Sequence, residues 1–343
     1  MKYLISIVLA VFAVFLIAEP KVVSEAVGGA VMDCLNVIVP SLFAFTALSI
    51  YLQKSGLYRV ALRPLTFPMS KLLRMDEELC AVFVLANIGG YPVGARLLSE
   101  LVAEGRLSAK DAGRMLCCCF GSGPSFVVGI AGMCVFQSIG AGLVLFAACF
   151  FSSLLVAAAV RAGGEIKLTS SDERFDLSAD AFLSSVTGSA RVMFTVCVMI
   201  VGFSAITAIL RQVGVFMLFE KLFGSAEIFP AMMEVTRING VLPTRYAMPL
   251  CAALLSFGGV CVHLQIKSLA KGIPLGRFFV SRAGGAALSA LIAMPFSREF
   301  AAAEIPVMAP NAVSEPFSKN AVLSLCVLIM CAILLAGTRK SKT

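Results

Sequence analysis

Glu234 is the one acid in the apolar run Ile-Phe-Pro-Ala-Met-Met-Glu-Val that starts at Ile228. An ionisable group in lipid costs roughly 2.5–3.5 kcal/mol even on the mildest scale, so it persists where it binds a ligand, relays a proton or is paired. Thr236, Arg237 and Asn239 follow closely. Two readings stay open: a substrate- or proton-coupling carboxylate, or a salt bridge to Arg237. Asn87 has a similar place in an earlier apolar run, where its amide offers donor and acceptor to a polar ligand or caps its own turn. His263 lies about one turn beyond Gly258-Gly259, with Gln265 two residues on; the sole histidine is a proton relay or a packing residue. Arg96, four residues after Pro92, reads as an interfacial anchor or as a contact for an anion.

Other chemistries lack their motifs. No phosphate-binding loop with its Lys and no zinc-ligand pair on a helix appears, and Gly121-Ser122-Gly123-Pro124-Ser125 does not follow Gly-x-Ser-x-Gly. The expectation is a protein that is not an enzyme and uses no cofactor or metal; an intramembrane serine hydrolase pairing Ser122 or Ser125 with His263 is the enzymatic alternative. All 12 Cys sit in apolar surroundings without zinc-site spacing, as small packing residues would.

Positioning these residues falls to elements built for lipid. Of 343 residues 59% are hydrophobic and 14% charged, against about 25% charged in a soluble domain. Stretches long enough to span a bilayer run from Tyr3 to Ala18, Cys34 to Gln53, Val192 to Leu210, Tyr246 to Ile266, Phe278 to Ser297 and Asn320 to Thr338, and the uncharged Met115–Val160 holds two more, turning near Gln137-Ser138-Ile139-Gly140. Lys2 with its apolar run resembles a signal peptide but reads as an uncleaved first helix. The fold class expected is an all-α polytopic membrane protein of about eight transmembrane helices.

Two apolar runs are too short to span. Leu79 onward breaks at Asn87-Ile88-Gly89-Gly90-Tyr91-Pro92, and Ile228 onward breaks at Ile238-Asn239-Gly240-Val241-Leu242-Pro243. Eight helical residues reach only about 12 Å of a hydrocarbon core about 30 Å thick, so each reads as a re-entrant hairpin. Each hairpin precedes a glycine-broken span, at Gly121–Ser125 and at Ser256-Phe257-Gly258-Gly259. Three full spans per unit would invert the second copy, giving an inverted-topology repeat with a site between the units. The expected divisions are an N-terminal helix (1–30), a first unit (31–160), a polar linker (161–185), a second unit (186–298), and a loop, last helix and basic tail (299–343).

The formal net charge of +8 lies between apolar runs and in the tail, as the positive-inside rule requires, rather than on a face for nucleic acid. Basic segments 54–74, 96–114 and 267–277 then fall on the cytoplasmic side with both termini.

The motifs Asn87–Arg96, Gly121–Ser125 and Ser256–Gln265 together resemble the sporulation integral membrane protein YlbJ family, which carries the nucleoside-recognition or Gate domain. The resemblance covers roughly Asp33 to Pro295. It implies Gate units similar to those of concentrative nucleoside transporters, a role in making endospores in the cell membrane or outer forespore membrane, and dipicolinate, an aromatic dianion, as candidate cargo. The dianion would sit at helix N-termini near Gly123 and Gly259 with Arg96 and Arg237 nearby.

The reading is therefore a secondary transporter or facilitator of a small anionic aromatic metabolite, with a proton or sodium ion as coupling ion and the bilayer as partner. Its binding residues are expected among Asn87, Gly89, Gly90, Tyr91, Pro92, Arg96, Ser122, Gly123, Ser125, Glu234, Thr236, Asn239, Gly240, Ser256, Gly258, Gly259, His263 and Gln265. A scaffold or receptor that binds without transporting, and a nucleoside transporter, are the alternatives; no protein partner is assigned.

Overall fold

Small polar residues and prolines set where the helices start. In the computed structural model, which describes residues 2–169, 175–223, 228–241 and 246–300, the side chains of Asp76, Ser108, Ser138 and Ser178 accept hydrogen bonds from backbone N–H groups of the helices they precede. Each satisfies an N–H that the first helical turn leaves without a partner. Pro20, Pro92 and Pro124 sit in first turns, where a missing N–H costs nothing.

The described residues form helices joined by turns, with one isolated β-bridge between Leu107 and Leu168. After α1 (Lys2–Ala18), α2 (Pro20–Asp33) and α3 (Val39–Lys54) join through a π-helical segment at Cys34–Ile38 into one rod of 35 residues. Short α4 (Tyr58–Ala61) and amphipathic α5 (Arg63–Leu73) lead to α6 (Glu77–Gly89) and α7 (Tyr91–Ala103). Then come α8 (Ala109–Met115), a non-helical stretch, α9 (Pro124–Phe126) continued by a π-helical segment (Val127–Val135), and α10 (Ile139–Ala162). The second half holds α11 (Ala179–Gln212), α12 (Val215–Phe223), α13 (Ile228–Met233), a 3-10 turn (Val235–Gly240), α14 (Ala247–Phe257), α15 (Gly259–Leu269) and α16 (Gly276–Ala293), which ends in a 3-10 turn at Met294–Ser297.

Among the described residues five helices are long and apolar enough to cross a membrane: Pro20–Lys54, Ile139–Ala162, Ala179–Gln212, Ala247–Leu269 and Gly276–Ser297. The difference from eight has identifiable causes. The helix α1 has 17 residues, the bottom of the spanning range. The first of the two spans expected in Met115–Val160 is not one helix, because Leu116–Gly123 is unwound and only Pro124–Val135 is helical before the turn at Ser138. The Asn320–Thr338 span and the basic tail lie outside the described residues. At the linker, helix α11 already begins at Ala179, because Ser178 caps it there, so residues 179–185 are helical.

The helices α6 and α7 fold back on each other across Gly90, whose φ of 95° is open to glycine and strained for other residues. Each arm has 13 residues, roughly 20 Å. Eleven of the 13 residues of α6 are buried, so this hairpin lies inside the protein, away from any lipid. In the second half the outcome differs: α13 and the 3-10 turn form one short arm, Leu242-Pro243 lie outside the described residues, and α14 runs on into α15 across Gly258, φ 84°. Gly258-Gly259 is thus a second glycine joint, one across which the helix runs on where Gly90 turns the chain back.

Large apolar side chains on the outside, such as Val14, Phe194, Val280 and Leu291, are exposed, as a lipid-facing surface requires. Between helices, buried hydroxyls donate to carbonyls of neighbours: Ser152 to Gly285 (2.8 Å), Ser189 to Phe43 (3.1 Å), Ser204 to Ala26 (2.8 Å) and Ser289 to Ala252 (2.9 Å). Such bonds and small-residue contacts hold helices together where lipid removes the hydrophobic drive between them.

Charged loops gather at one end. Arg106 grips Glu78 with two bonds of 2.7 and 2.5 Å, closing the open end of the α6–α7 hairpin. Arg114 donates to the carbonyls of Val160 (2.9 Å) and Gly164 (2.6 Å). Lys54 lies 3.6 Å from Glu100, and Ser99 donates to Leu269 O at 3.0 Å. Segments 54–74, 96–114 and 161–169 and the turn after α15 therefore share one side.

Arg282, in the middle of α16 and 1% exposed, binds this core together. Its guanidinium donates to Cys117 O, in the unwound stretch, and at 3.5 Å to Ser256 O, near the end of α14. It lies over the rings of Phe120 (4.7 Å) and Phe278 (5.4 Å), an arrangement that favours a cation.

Two substitutions probe this packing. Arg282→Ala leaves two buried carbonyls without a donor, at about 1–3 kcal/mol each; thermal unfolding in detergent should start several degrees lower. A Cβ on Gly94 would overlap the Cys119 carbonyl oxygen, so Gly94→Ala should abolish the monodisperse detergent-solubilised species seen by size exclusion, while an exposed change such as Lys110→Ala should not.

Candidate functional site

Backbone that is not helical inside an apolar protein must find partners for its N–H and C=O groups. Here the breaks find one another. Gly123, at the end of the unwound stretch, packs against the α6–α7 joint so closely that a Cβ on it would come 2.8 Å from Ile88 O. Gly121 abuts Asn87 in the same way, at 2.5 Å from Oδ1. In the second half of the chain, Gly258 lies against Phe120 and Tyr91, and a side chain on Gly259 would meet the backbone of Met232, Met233 and Val235 at 3.1–3.3 Å. Tyr91 ties the two halves of the chain together by donating from its hydroxyl to Leu255 O at 2.7 Å.

A cavity opens where these breaks meet. Of the residues expected to bind, Gly90, Tyr91, Pro92, Ser122, Gly123, Glu234, Thr236 and Gln265 line it. An apolar wall completes it, with Ile38 and Leu42 from the long rod, Phe126, Val196 and Ile200 from α11, and Val262 from α15. It encloses about 30 Å³, where one water needs roughly 10–15 Å³ by the same kind of measure. It has room for a water or two and not for a metabolite.

Its polar content is sparse and incompletely paired. Glu234 is 3% exposed; one carboxylate oxygen accepts from the backbone N–H of Thr236 at 3.2 Å, and the other is buried without a partner. Ser122 Oγ, also 3% exposed, is likewise unpartnered. Gln265 donates from Nε2 to Cys261 Sγ at 3.4 Å, and Cys261 faces Glu234. Buried polar atoms without a protein partner are uncommon, and a cavity of this size has room for a water to bond them.

The remaining expected residues stand elsewhere. Arg96 forms a 2.6 Å ion pair with Glu100, and Arg237 donates to Ser204 Oγ at 3.0 Å. Neither lines the cavity, and the salt bridge between Glu234 and Arg237 is not among the ion pairs of the described residues. Asn87 holds the end of its own helix, donating to Phe83 O (2.8 Å) and to Cys118 O (3.4 Å); Gly89 packs against Val93 and Ser49. Ser125 and Asn239 are exposed, and Gly240 ends its turn away from the cavity. Ser256 serves through its carbonyl. His263 is bonded through Nδ1 to Gly259 O at 2.6 Å and packed among Phe257, Phe278 and Phe279, with neither Ser122 nor Ser125 hydrogen-bonded to it.

Two residues escape a reading of the sequence alone. Arg282 hides within a span-length apolar window, where its lone charge is the signal that could have found it. Cys261 looks like every other apolar-stretch cysteine and gains meaning only from its place opposite Glu234. No cluster of metal-ligating side chains occurs among the described residues.

No protein-family model and no solved structure matches the chain. Among curated proteins it is similar to the sporulation integral membrane protein YlbJ of Bacillus subtilis (strain 168), at 28% identity over 166 residues, 46% of this chain and 40% of that protein. The match spans less than half the length of that relative. With five apolar helices of spanning length among its described residues, the chain is a multi-pass α-helical membrane protein related in sequence to a sporulation protein.

Proposed function

We propose that this chain is a secondary transporter or facilitator that moves a small anionic aromatic metabolite across a membrane of the sporulating cell. The observation that carries this reading is the convergence of three helix breaks, at Gly90, at Ser122-Gly123 and at Glu234, on one cavity. Broken helices at a shared internal site, with parts that can move against each other, are the architecture of alternating access. The small present volume describes an occluded arrangement, and opening needs movement of the α6–α7 hairpin or of the α14–α15 rod against the rest.

Support for an anion comes from two helix N-termini at the cavity, those of α7 and of the Pro124–Val135 helix, whose partial positive charge attracts it. Aromatic character fits Tyr91 and Phe126 in the wall. The name of the similar protein points to sporulation, and dipicolinate, suggested by the family resemblance, is the cargo to try first. The cell membrane or the outer forespore membrane, with both termini cytoplasmic, is the proposed location.

Uptake into proteoliposomes tests the proposal. Saturable dipicolinate uptake above that of empty vesicles is expected under a proton or a sodium gradient; no uptake of dipicolinate or of nucleosides under any gradient sinks it. Binding without uptake would assign a receptor or scaffold instead. Within the site, Ser122→Ala should weaken substrate affinity by about tenfold, the worth of one hydrogen bond of about 1.4 kcal/mol. Asn239→Ala, outside the cavity, should leave uptake within about twofold.

A further inference from the structure

Glu234 already occupies the place where an anion would bind. Its carboxylate takes the Thr236 N–H and lies in the cavity lined by Gly90, Tyr91 and Pro92 at the start of α7 and by Ser122 and Gly123 before Pro124. The first residue of α15, Gly259, packs on the backbone to either side of it. Helix N-termini favour negative charge within their first turn. Here the carboxyl group is the protein's own, with one oxygen unpartnered and no ligand-sized space beside it.

The titratable and charged groups that face Glu234 are few. Arg237, on the same turn, donates to Ser204. Cys261 faces it from α15, Cys34 from the π-helical segment and Tyr91 from α7. Apart from the guanidinium of Arg237 none of these is a charged partner, and no ion pair holds Glu234 among the described residues. Its ionised form is therefore offset only by dipoles and by Arg237 at a distance, so that it can give way to the protonated form.

We propose that the cavity exchanges one carboxylate for another: a small carboxylate ligand occupies the helix N-termini when the free oxygen of Glu234 has taken up a proton. The proton comes from water on the side to which the cavity opens, forms an O–H bond at Glu234, and returns to water when the ligand leaves. Charge in the cavity is then the same in both states, one carboxylate each time. A ligand entering as a monoanion fits this balance, and a dicarboxylic acid would enter with one of its own groups protonated. Ser122 Oγ, buried and unpartnered, is the group left to bond the incoming carboxylate or the protonated Glu234.

This inference rests on the transport reading for its purpose, and its test does not need transport. Hydrogen–deuterium exchange of the full chain in lipid nanodiscs, corrected for the intrinsic pH dependence of exchange, reads the hold of Glu234 on the turn after it. Between pH 8 and pH 5.5, exchange at Val235 and Thr236 and at Phe120–Gly123 should rise at least tenfold in the native protein. Glu234→Gln should show the fast pattern at both pH values, and Glu234→Asp should keep a pH dependence. Pyridine-2,6-dicarboxylate should slow exchange in the native protein at the lower pH only, and in Glu234→Gln at both. Exchange that ignores pH in the native protein, or that still follows pH in Glu234→Gln, overturns the proposal. A pH response untouched by the dicarboxylate in either protein overturns the shared site. Absence of uptake in vesicles, with these responses intact, would sink transport and leave the proton site standing.

Discussion

The carbonyl of Cys117 and the guanidinium of Arg282 meet where a stretch of backbone has left the helical state inside an apolar protein. Unsatisfied backbone groups there cost several kcal/mol each, so Leu116–Gly123 can stay unwound only because other parts of the chain supply donors. Arg282 bonds Cys117 O and Ser256 O, and Asn87 bonds Cys118 O. These contacts link the unwound stretch of the first half to the glycine joint of the second. Arg282 in turn is held in a site without acids by two carbonyls and two rings, a cation kept where its removal would strand what it bonds. The cavity, the close glycines and the packing of α16 all follow from keeping this segment open.

Much of the architecture was legible in residue types because it depends on local rules. Prolines at first turns, serine and aspartate caps, and glycines with positive φ are short-range signals, and the joints at Gly90 and Gly258 fall where they indicate. The side on which the charged loops gather was legible too, since basic residues between apolar runs report which ends lie together. Hydropathy was less informative where a run is long enough to span but does not stay helical. Met115–Val160 carries no charge, yet half of it is spent on an unwound stretch and a short helix, which depend on contacts with Asn87 and Arg282 from distant positions in the chain.

The site divided along the same line. Glycines, Tyr91, Ser122, Glu234 and Gln265 reach the cavity because a break places its nearest residues at the junction. Arg96, Arg237 and His263 do not, because what a long or ringed side chain contacts is set by tertiary neighbours: Glu100 and Ser204 for the two arginines, phenylalanines for the histidine. The ionisable side chain that lines the cavity is thereby a carboxyl group, Glu234, rather than an arginine. The apolar wall from Ile38, Val196 and Ile200 left no mark in the sequence, since such residues are indistinguishable from those that face lipid.

The helix α11 has 34 residues, roughly 51 Å of helix, while the hydrocarbon core it crosses is about 30 Å thick. Such a helix must lean or extend beyond the core, and a thinner bilayer favours a greater lean. Val196 and Ile200, part way along it, are the same residues that wall the cavity. The width of the cavity is thereby joined, through the lean of α11, to the thickness of the membrane around it.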